Sequence, residues 1–532
     1  MSWSLLVKNG TVIDGSGAAR QKADVAIAGD TIAAVAPELP DANAARVIDA
    51  AALVVAPGFI DIHSHSDFFY AQCPSAESKI RQGVTTEVVG MCSFSPAPCV
   101  PESRRQVEAA AHSLGAKLEV RWSTFQQYLT ALEELHPSVN VVHFVGHGPI
   151  RYAAMGAENR APTRAELETM KSLLAEAIDA GAFGLSSGLI YPPSAFAGTD
   201  ELIALCASMA ARGGQYFTHM RGEAETLLEA IAEAIEISEQ AGVGLQIAHL
   251  KSQGRENWHL FDRALEQIEE ARRRGVPASA DVYPYAASST FMTAMLPEWV
   301  HDGGIEKLLQ RISDSATRQR IIAENTRSGD AWGTTHGAIG WDEIMIATCP
   351  EAAVEGLTLA ALAARRGQPP AEAMLDLLVA HDAAVSVVLF TQAEHNVQKS
   401  LRQPYVMIGS DSLGLSGGEG PHPGHPHPRM YGTFPRVLAR YAREARLFSL
   451  EGAIAKMTGM PAEKLGLRAR GLLRPGYFAD LSLFDPATVS DQATFEDPHR
   501  YPRGIPYVII NGNVVLDAGG LKQSSAGRIL RH

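Results

Sequence analysis

Residues 58–66 read GFIDIHSHS, a largely apolar run that turns polar at His63 and His65. A buried strand arriving at a solvent-facing mouth has this profile. Residues two apart on a strand point to the same face, so both imidazoles can reach one ion. Seven more stretches share the profile: TTEVVGMCS (85–93), NVVHFVGHG (140–148), GAFGLSSGL (181–189), GQYFTHMR (214–221), GVGLQIAHLK (242–251), ASADVYPY (278–285) and YVMIGSDS (405–412). Between them lie amphipathic segments such as RAELETMKSLLAEAIDAG and ETLLEAIAEAIEISEQAG, whose apolar positions recur every three or four residues. Eight short strands alternating with helices predict an α/β fold, a (β/α)8 TIM-like barrel. The barrel is expected over 58–286 and 346–463, and the helical text of 287–345 is expected to form an insertion or lid after the seventh strand.

Both ends of the chain read as strands. KNGTVIDG near the start carries an Asn9-Gly10 turn pair, and INGNVVLD near the end resembles it. Residues 1–57 and 464–532 are therefore expected to assemble one small β-sandwich domain from the two termini.

The chain has 532 residues, 46 basic against 59 acidic, and a formal charge of −13. An acidic surface repels phosphate backbones, so nucleic acid is not expected as a partner. With 46% hydrophobic and 20% charged residues the composition is that of a globular protein, and it excludes a disordered one. No run is apolar for long enough to span a bilayer, and the first residues, MSWSLLVKNG, carry no secretory pattern. Five cysteines are too few for a disulfide framework and fit a reduced, cytoplasmic setting.

The strand-end residues are, in chain order, His63, His65, Cys92, His147, His219, His249, Tyr283 and Asp411. Barrel enzymes build their sites at the carboxyl ends of the strands, so these groups are expected to share one mouth. A single buried histidine is usually only a hydrogen-bonded core residue. Four of them at strand ends, together with an aspartate, point to a metal.

Several motifs in order resemble the amidohydrolase superfamily and, within it, the D-aminoacylase (N-acyl-D-amino-acid deacylase) family. They are PGFIDIHSHSD (57–67), TTEVVGMCSFSPAP (85–98), GLSSGLIYPPSAFA (184–197), YFTHMRGE (216–223), AHLKSQG (248–254), DVYPYAASST (281–290), GSDS (409–412) and HPRMYGTFPR (427–436). The resemblance covers almost the whole chain. It implies zinc-dependent hydrolysis of the amide of a small molecule, an N-acyl-D-amino acid, with L-Xaa-D-Xaa dipeptides as further substrates. Many superfamily members bridge two metals with a carboxylated lysine on the fourth strand, but GAFGLSSGL has no lysine. D-aminoacylase-like members use a cysteine of the second strand, here Cys92. The resemblance implies one tight zinc on Cys92, His219 and His249 and a second, weaker position on His63, His65 and Asp411. It also implies Asp411 as general base and then acid. The family reads G-N-C-G where this chain has Gly90-Met91-Cys92-Ser93.

For the substrate carboxylate the resemblance implies Arg429, Lys251 and Tyr283, with Tyr191 and Ser289 lining the pocket. His147 matches no ligand and is expected to be structural. PHPGHPHP (421–428) reads as a proline-stiffened loop that delivers Arg429 rather than as a metal tract. Phe291, Met292 and Trp299 follow the seventh strand with no basic residue among them, which favours apolar D-residues over acidic ones unless Arg320 or Arg327 reaches the pocket. Two rival readings share the barrel. A cyclic amidase resembling dihydroorotase or hydantoinase is disfavoured by Cys92 and the carboxylate-binding set, and a non-catalytic scaffold by the intact metal set.

Overall fold

The structure, a computed structural model, describes residues 2–327, 331–334, 337–416, 424–522 and 525–532. Eight parallel strands form the barrel: β1 (Phe59–Asp61), β2 (Val84–Val89), β3 (Asn140–His143, continued by Val145–Gly146), β4 (Gly184–Gly188), β5 (Gln215–His219), β6 (Leu245–Ile247), β7 (Ala278–Val282) and β8 (Val406–Ile408). Each lies within one of the eight stretches read as strands, except that β2 starts one residue earlier, at Val84. Pairing runs β1–β2–β3 and then from the continuation of β3 through β4 to β8. A parallel bridge from Ser64 to Ser412 closes the ring between β1 and β8.

Side chains alternate along the strands as the two-residue period requires. Ile60, Val88, Val142, Phe144, Phe217 and Met407 share one core cluster with Ala462 and Leu465 of the helix Gly459–Leu465. Their sequence neighbours Phe59, Val89, Val141, Val145, Tyr216, Val406 and Ile408 instead join the larger core built with the surrounding helices. Those helices start where the sequence caps them. Thr163 and Glu166 form a reciprocal capping box on the helix Arg164–Asp179, and Gly242, at φ 69°, ends the helix Leu227–Ala241.

The two chain ends meet in one continuous nine-stranded sheet, in which Leu481–Phe484 pairs antiparallel with Val54–Pro57. The last strand, Ile529–Leu530, leaves that sheet and pairs with β3 through Val141 and Val142. It enters where β3 and β4 part, and the His532 amide donates to the Gly181 carbonyl at 3.1 Å.

The segment between β7 and β8 differs from its expected limits. Its apolar core runs from Met292 to Leu389 rather than stopping at 345. A three-stranded antiparallel sheet of Ser288–Phe291, Ser386–Leu389 and Ile344–Thr348 anchors it. Residues 346–389, assigned to the barrel by sequence, therefore belong to the inserted unit.

Candidate metal centre and substrate cavity

The carboxyl ends of β1, β2, β5, β6 and β8 bring six donors together. The ligand atoms of His63, His65, Cys92 and Asp411 all lie within 4.8 Å of one another, and so do those of Cys92, His219 and His249. Cys92 thus belongs to both groups, whereas the expected second position lacked it. Its Sγ is 3.3 Å from His63 Nε2 and 3.5 Å from His249 Nε2. Asp411 Oδ1 stands 3.1 Å from His65 Nε2 and 3.4 Å from His63 Nε2.

The donors suit a soft divalent ion. Burial alone would push the Cys92 thiol up, but His63 and His249 outweigh it and hold the group well below its ordinary range. Both neighbours favour the thiolate, the form that binds zinc. Both ring nitrogens of His219 are buried and lack a hydrogen-bond partner. Orphaned imidazole nitrogens beside a thiolate are what a metal site requires and what a packed core avoids.

Side chains behind the donors fix their orientation. Asp281 Oδ1 lies 3.2 Å from His63 Nδ1 and accepts the His249 amide at 2.8 Å, while Gln246 donates to Oδ2. Glu223 Oε1 is 3.1 Å from His249 Nδ1, and its Oε2 is 3.6 Å from His219 Nε2. Burial would raise the Glu223 carboxyl, but Lys251 and the two histidines hold it well below its usual range. Neither carboxylate stands out in the sequence, although both sit in motifs quoted above, DVYPY and YFTHMRGE. Such second-layer partners set the tautomer and basicity of a metal-bound imidazole.

Beneath β1 and β8 lies a buried ionic network. The Lys79 ammonium donates to Asp61 at 2.7 Å and to Ser410 Oγ at 2.8 Å, and it lies 3.1 Å from Glu87. Glu87 in turn accepts from Ser64, Ser66 and Tyr70. This joins the His63-Ser64-His65 segment to Ser410-Asp411-Ser412.

One cavity opens on the donors, lined among others by Tyr191, Lys251, Tyr283, Ser289, Asp411 and Arg429. All five residues expected to bind substrate therefore face it. Their bonds are more specific than the sequence implied. Arg429 Nη1 donates to Asp411 Oδ2 at 2.7 Å and Nη2 to the Ser289 carbonyl at 3.3 Å, leaving Nε buried without a partner. Burial pushes the Asp411 carboxyl up, yet Arg429, His63 and His65 hold it well below the usual carboxylate range. Lys251 Nζ donates to Glu223 at 2.6 Å and to the His249 carbonyl at 3.2 Å, and it lies 2.7 Å from His249 Nδ1. Tyr283 accepts from Gln392 at 2.9 Å, so its own proton remains available to donate. Tyr191 shares a hydrogen bond with Thr290.

Other expectations resolve plainly. His147 is buried between Ser194 and Glu201, a structural position. His427 lines the cavity, with Nε2 on the Ala287 carbonyl and Nδ1 accepting the Arg429 amide. Pro421, His422 and Pro423 lie outside the described residues. Phe291 lines the cavity, but Met292 and Trp299 do not, and neither do Arg320 and Arg327. Among the described residues, Lys251 and Arg429 are the cavity's only lysine or arginine side chains.

The chain is similar to known proteins over nearly its whole length. A family model described as "Amidohydrolase family" matches residues 46–516. The chain is 38% identical over 528 residues to D-aminoacylase of Alcaligenes xylosoxydans xylosoxydans, covering 99% of this chain and 97% of that protein. Its structure is similar to that of N-acyl-D-glutamate deacylase from Bordetella bronchiseptica, with a TM-score of 0.84, 34% identity and full coverage of both chains. That relative was solved with zinc and a phosphonate inhibitor mimicking the tetrahedral intermediate. Likeness to L-hydantoinase from Arthrobacter aurescens, at 16% identity and a TM-score of 0.56, is one of fold alone.

Proposed function

This chain belongs to the amidohydrolase family, in its D-aminoacylase group, and from that premise we propose that it hydrolyses N-acyl-D-amino acids to a carboxylate and a free D-amino acid. The observation that carries the reading is Cys92, shared by two donor clusters, with the Asp411 carboxylate within reach of one of them. We assign the tight zinc to Cys92, His219 and His249, and a weaker second position to His63, His65 and Asp411 with Cys92 as the common ligand. Bound zinc supplies Lewis acidity, which makes water more acidic and polarises a carbonyl.

The chain's own residues do the rest. Asp411, kept ionised by Arg429, takes the proton of the attacking water and passes it to the departing amine. The buried Arg429 Nε, the Lys251 ammonium and the Tyr283 hydroxyl face the substrate's α-carboxylate. Asp281 and Glu223 hold the imidazoles in place. With no further lysine or arginine on the cavity wall among the described residues, an acidic substrate side chain lacks a partner there, so D-leucine-like residues are the favoured class. Five buried free cysteines support a reducing, cytoplasmic setting. No helix among the described residues is long and apolar enough to cross a membrane.

The decisive assay compares amine release from N-acetyl-D-leucine, N-acetyl-L-leucine and N-acetyl-D-glutamate, with dihydrouracil as the cyclic competitor. D-leucine release should dominate, chelation should abolish it, and zinc should restore it. Turnover of dihydrouracil in preference to the linear amides would overturn the reading in favour of a cyclic amidase. Protein purified without stoichiometric metal and inactive on every substrate would favour the scaffold.

A further inference from the structure

A second cavity adjoins the first, and the two share the walls formed by Phe94, Tyr191 and Phe291. The three rings touch one another, with centroids 5.0, 5.3 and 6.0 Å apart. Beyond them the lining is mainly apolar, with Val107 and Ala110 of the helix Arg104–Ser113, Pro149, and Ala294, Ile305 and Leu308 of the inserted unit, and polar groups at Gln106, Ser113 and His301. Among the described residues no aspartate, glutamate, lysine or arginine lines it. It measures about 980 Å³ including its open mouth, against about 870 Å³ for the metal cavity.

The barrel sets the direction in which a linear amide must lie. Lys251, Tyr283 and Arg429 follow β6, β7 and β8. Phe94 follows β2 and Tyr191 follows β4, across the ring from those strands. A substrate that gives its carboxylate to the cations therefore extends its other end, the acyl group, over Cys92 toward the aromatic wall. An acetyl methyl stops at that wall. A longer aliphatic chain meets the three rings, each half-buried, and enters the second chamber when they part.

We propose that the second cavity is an acyl-chain pocket and that the preferred substrates carry medium-chain aliphatic acyl groups in place of acetyl. This rests on the deacylase reading above and extends it to the other half of the substrate. Each methylene moved from water into such a chamber should tighten binding roughly threefold.

The test uses the zinc-loaded full chain and the carboxylate product, so that it does not depend on turnover. Calorimetric titration with octanoate and with acetate should show octanoate binding tighter by on the order of 10³-fold. Ala110→Phe, which fills the chamber away from the metal, should collapse that ratio toward unity. A second filling variant, Ala294→Leu, guards against a folding defect, with zinc content and Tm measured for both. The same ratio should appear in kcat/KM for N-octanoyl- over N-acetyl-D-leucine. Equal affinities in the wild-type chain, or an octanoate preference that survives both substitutions, would overturn the proposal. Failure of the deacylase reading looks different: no D-leucine would be released from either amide, whatever the octanoate-to-acetate ratio.

Discussion

Cys92, His249 and Asp411 share a backbone property that composition does not reveal: their φ angles are 52°, 36° and 50°. A side chain in the left-handed region costs about 1–2 kcal/mol, and such residues cluster where function needs an aimed group. Ser93, at φ 75°, stands where the family usually has glycine, and its hydroxyl compensates by accepting the Gly148 amide at 2.7 Å. Asp411→Asn should leave the tight zinc in place, by metal analysis, while kcat falls about 10²–10⁴-fold. Cys92→Ala should instead lose zinc and activity together. For Asp281→Ala the expectation is a second-metal affinity weakened about 10–100-fold, read by metal titration, because His63 loses its anchor. The His63/His65 pair was legible from its spacing after an apolar run, although both residues lie past the end of β1 at Asp61. Asp281 was not, since its partner lies 218 positions away and nothing local marks it. Cys92 was legible through family resemblance alone, as an isolated cysteine looks like any small buried residue.

Strands were easier to read than their pairing. All eight barrel strands announce themselves as apolar runs ending in polar groups. The inserted unit's strands Ile344–Thr348 and Ser386–Leu389 are equally apolar, and only their antiparallel pairing with Ser288–Phe291 separates them from the barrel. Composition carries no record of which strand a run will pair with. The elements also depend on buried charge. Lys79→Met leaves Asp61 and Glu87 uncompensated beneath β1 and β8, which should cost about 3–5 kcal/mol, measured by urea unfolding, and should lower metal content. Lys456, on the helix Leu450–Met457, donates to the carbonyls of Gln403 and Val406 at the start of β8. Burial lowers its ammonium from 10.5 to about 8. Because the folded value lies below the unfolded one, the unfolded chain holds more protons between these limits. Stability from this group therefore rises as pH goes from about 8 to 10.5 and is missing below 8. The urea midpoint of the wild type should climb over that interval by more than that of Lys456→Met.

At the scale of the molecule, both ends of the chain converge on the barrel. Meeting of the termini in one sheet was legible from the likeness of KNGTVI to INGNVV. The insertion of Ile529–Leu530 beside β3 was not, because a two-residue strand leaves no periodicity to detect. Removing residues 525–532 strips β3 of that partner and Gly181 of the His532 amide. Tm should fall while zinc content holds, since every donor sits at the opposite end of the strands; differential scanning calorimetry with metal analysis checks both. The same wiring bears on biogenesis. Cys92, His219 and His249 leave the ribosome long before Asp411, and the cylinder stays unsealed until the final dozen or so residues have followed. A nascent chain therefore exposes the Cys92 thiol and loose imidazoles while translation continues, so protection of that half-made centre from stray copper or oxidants falls to the cell.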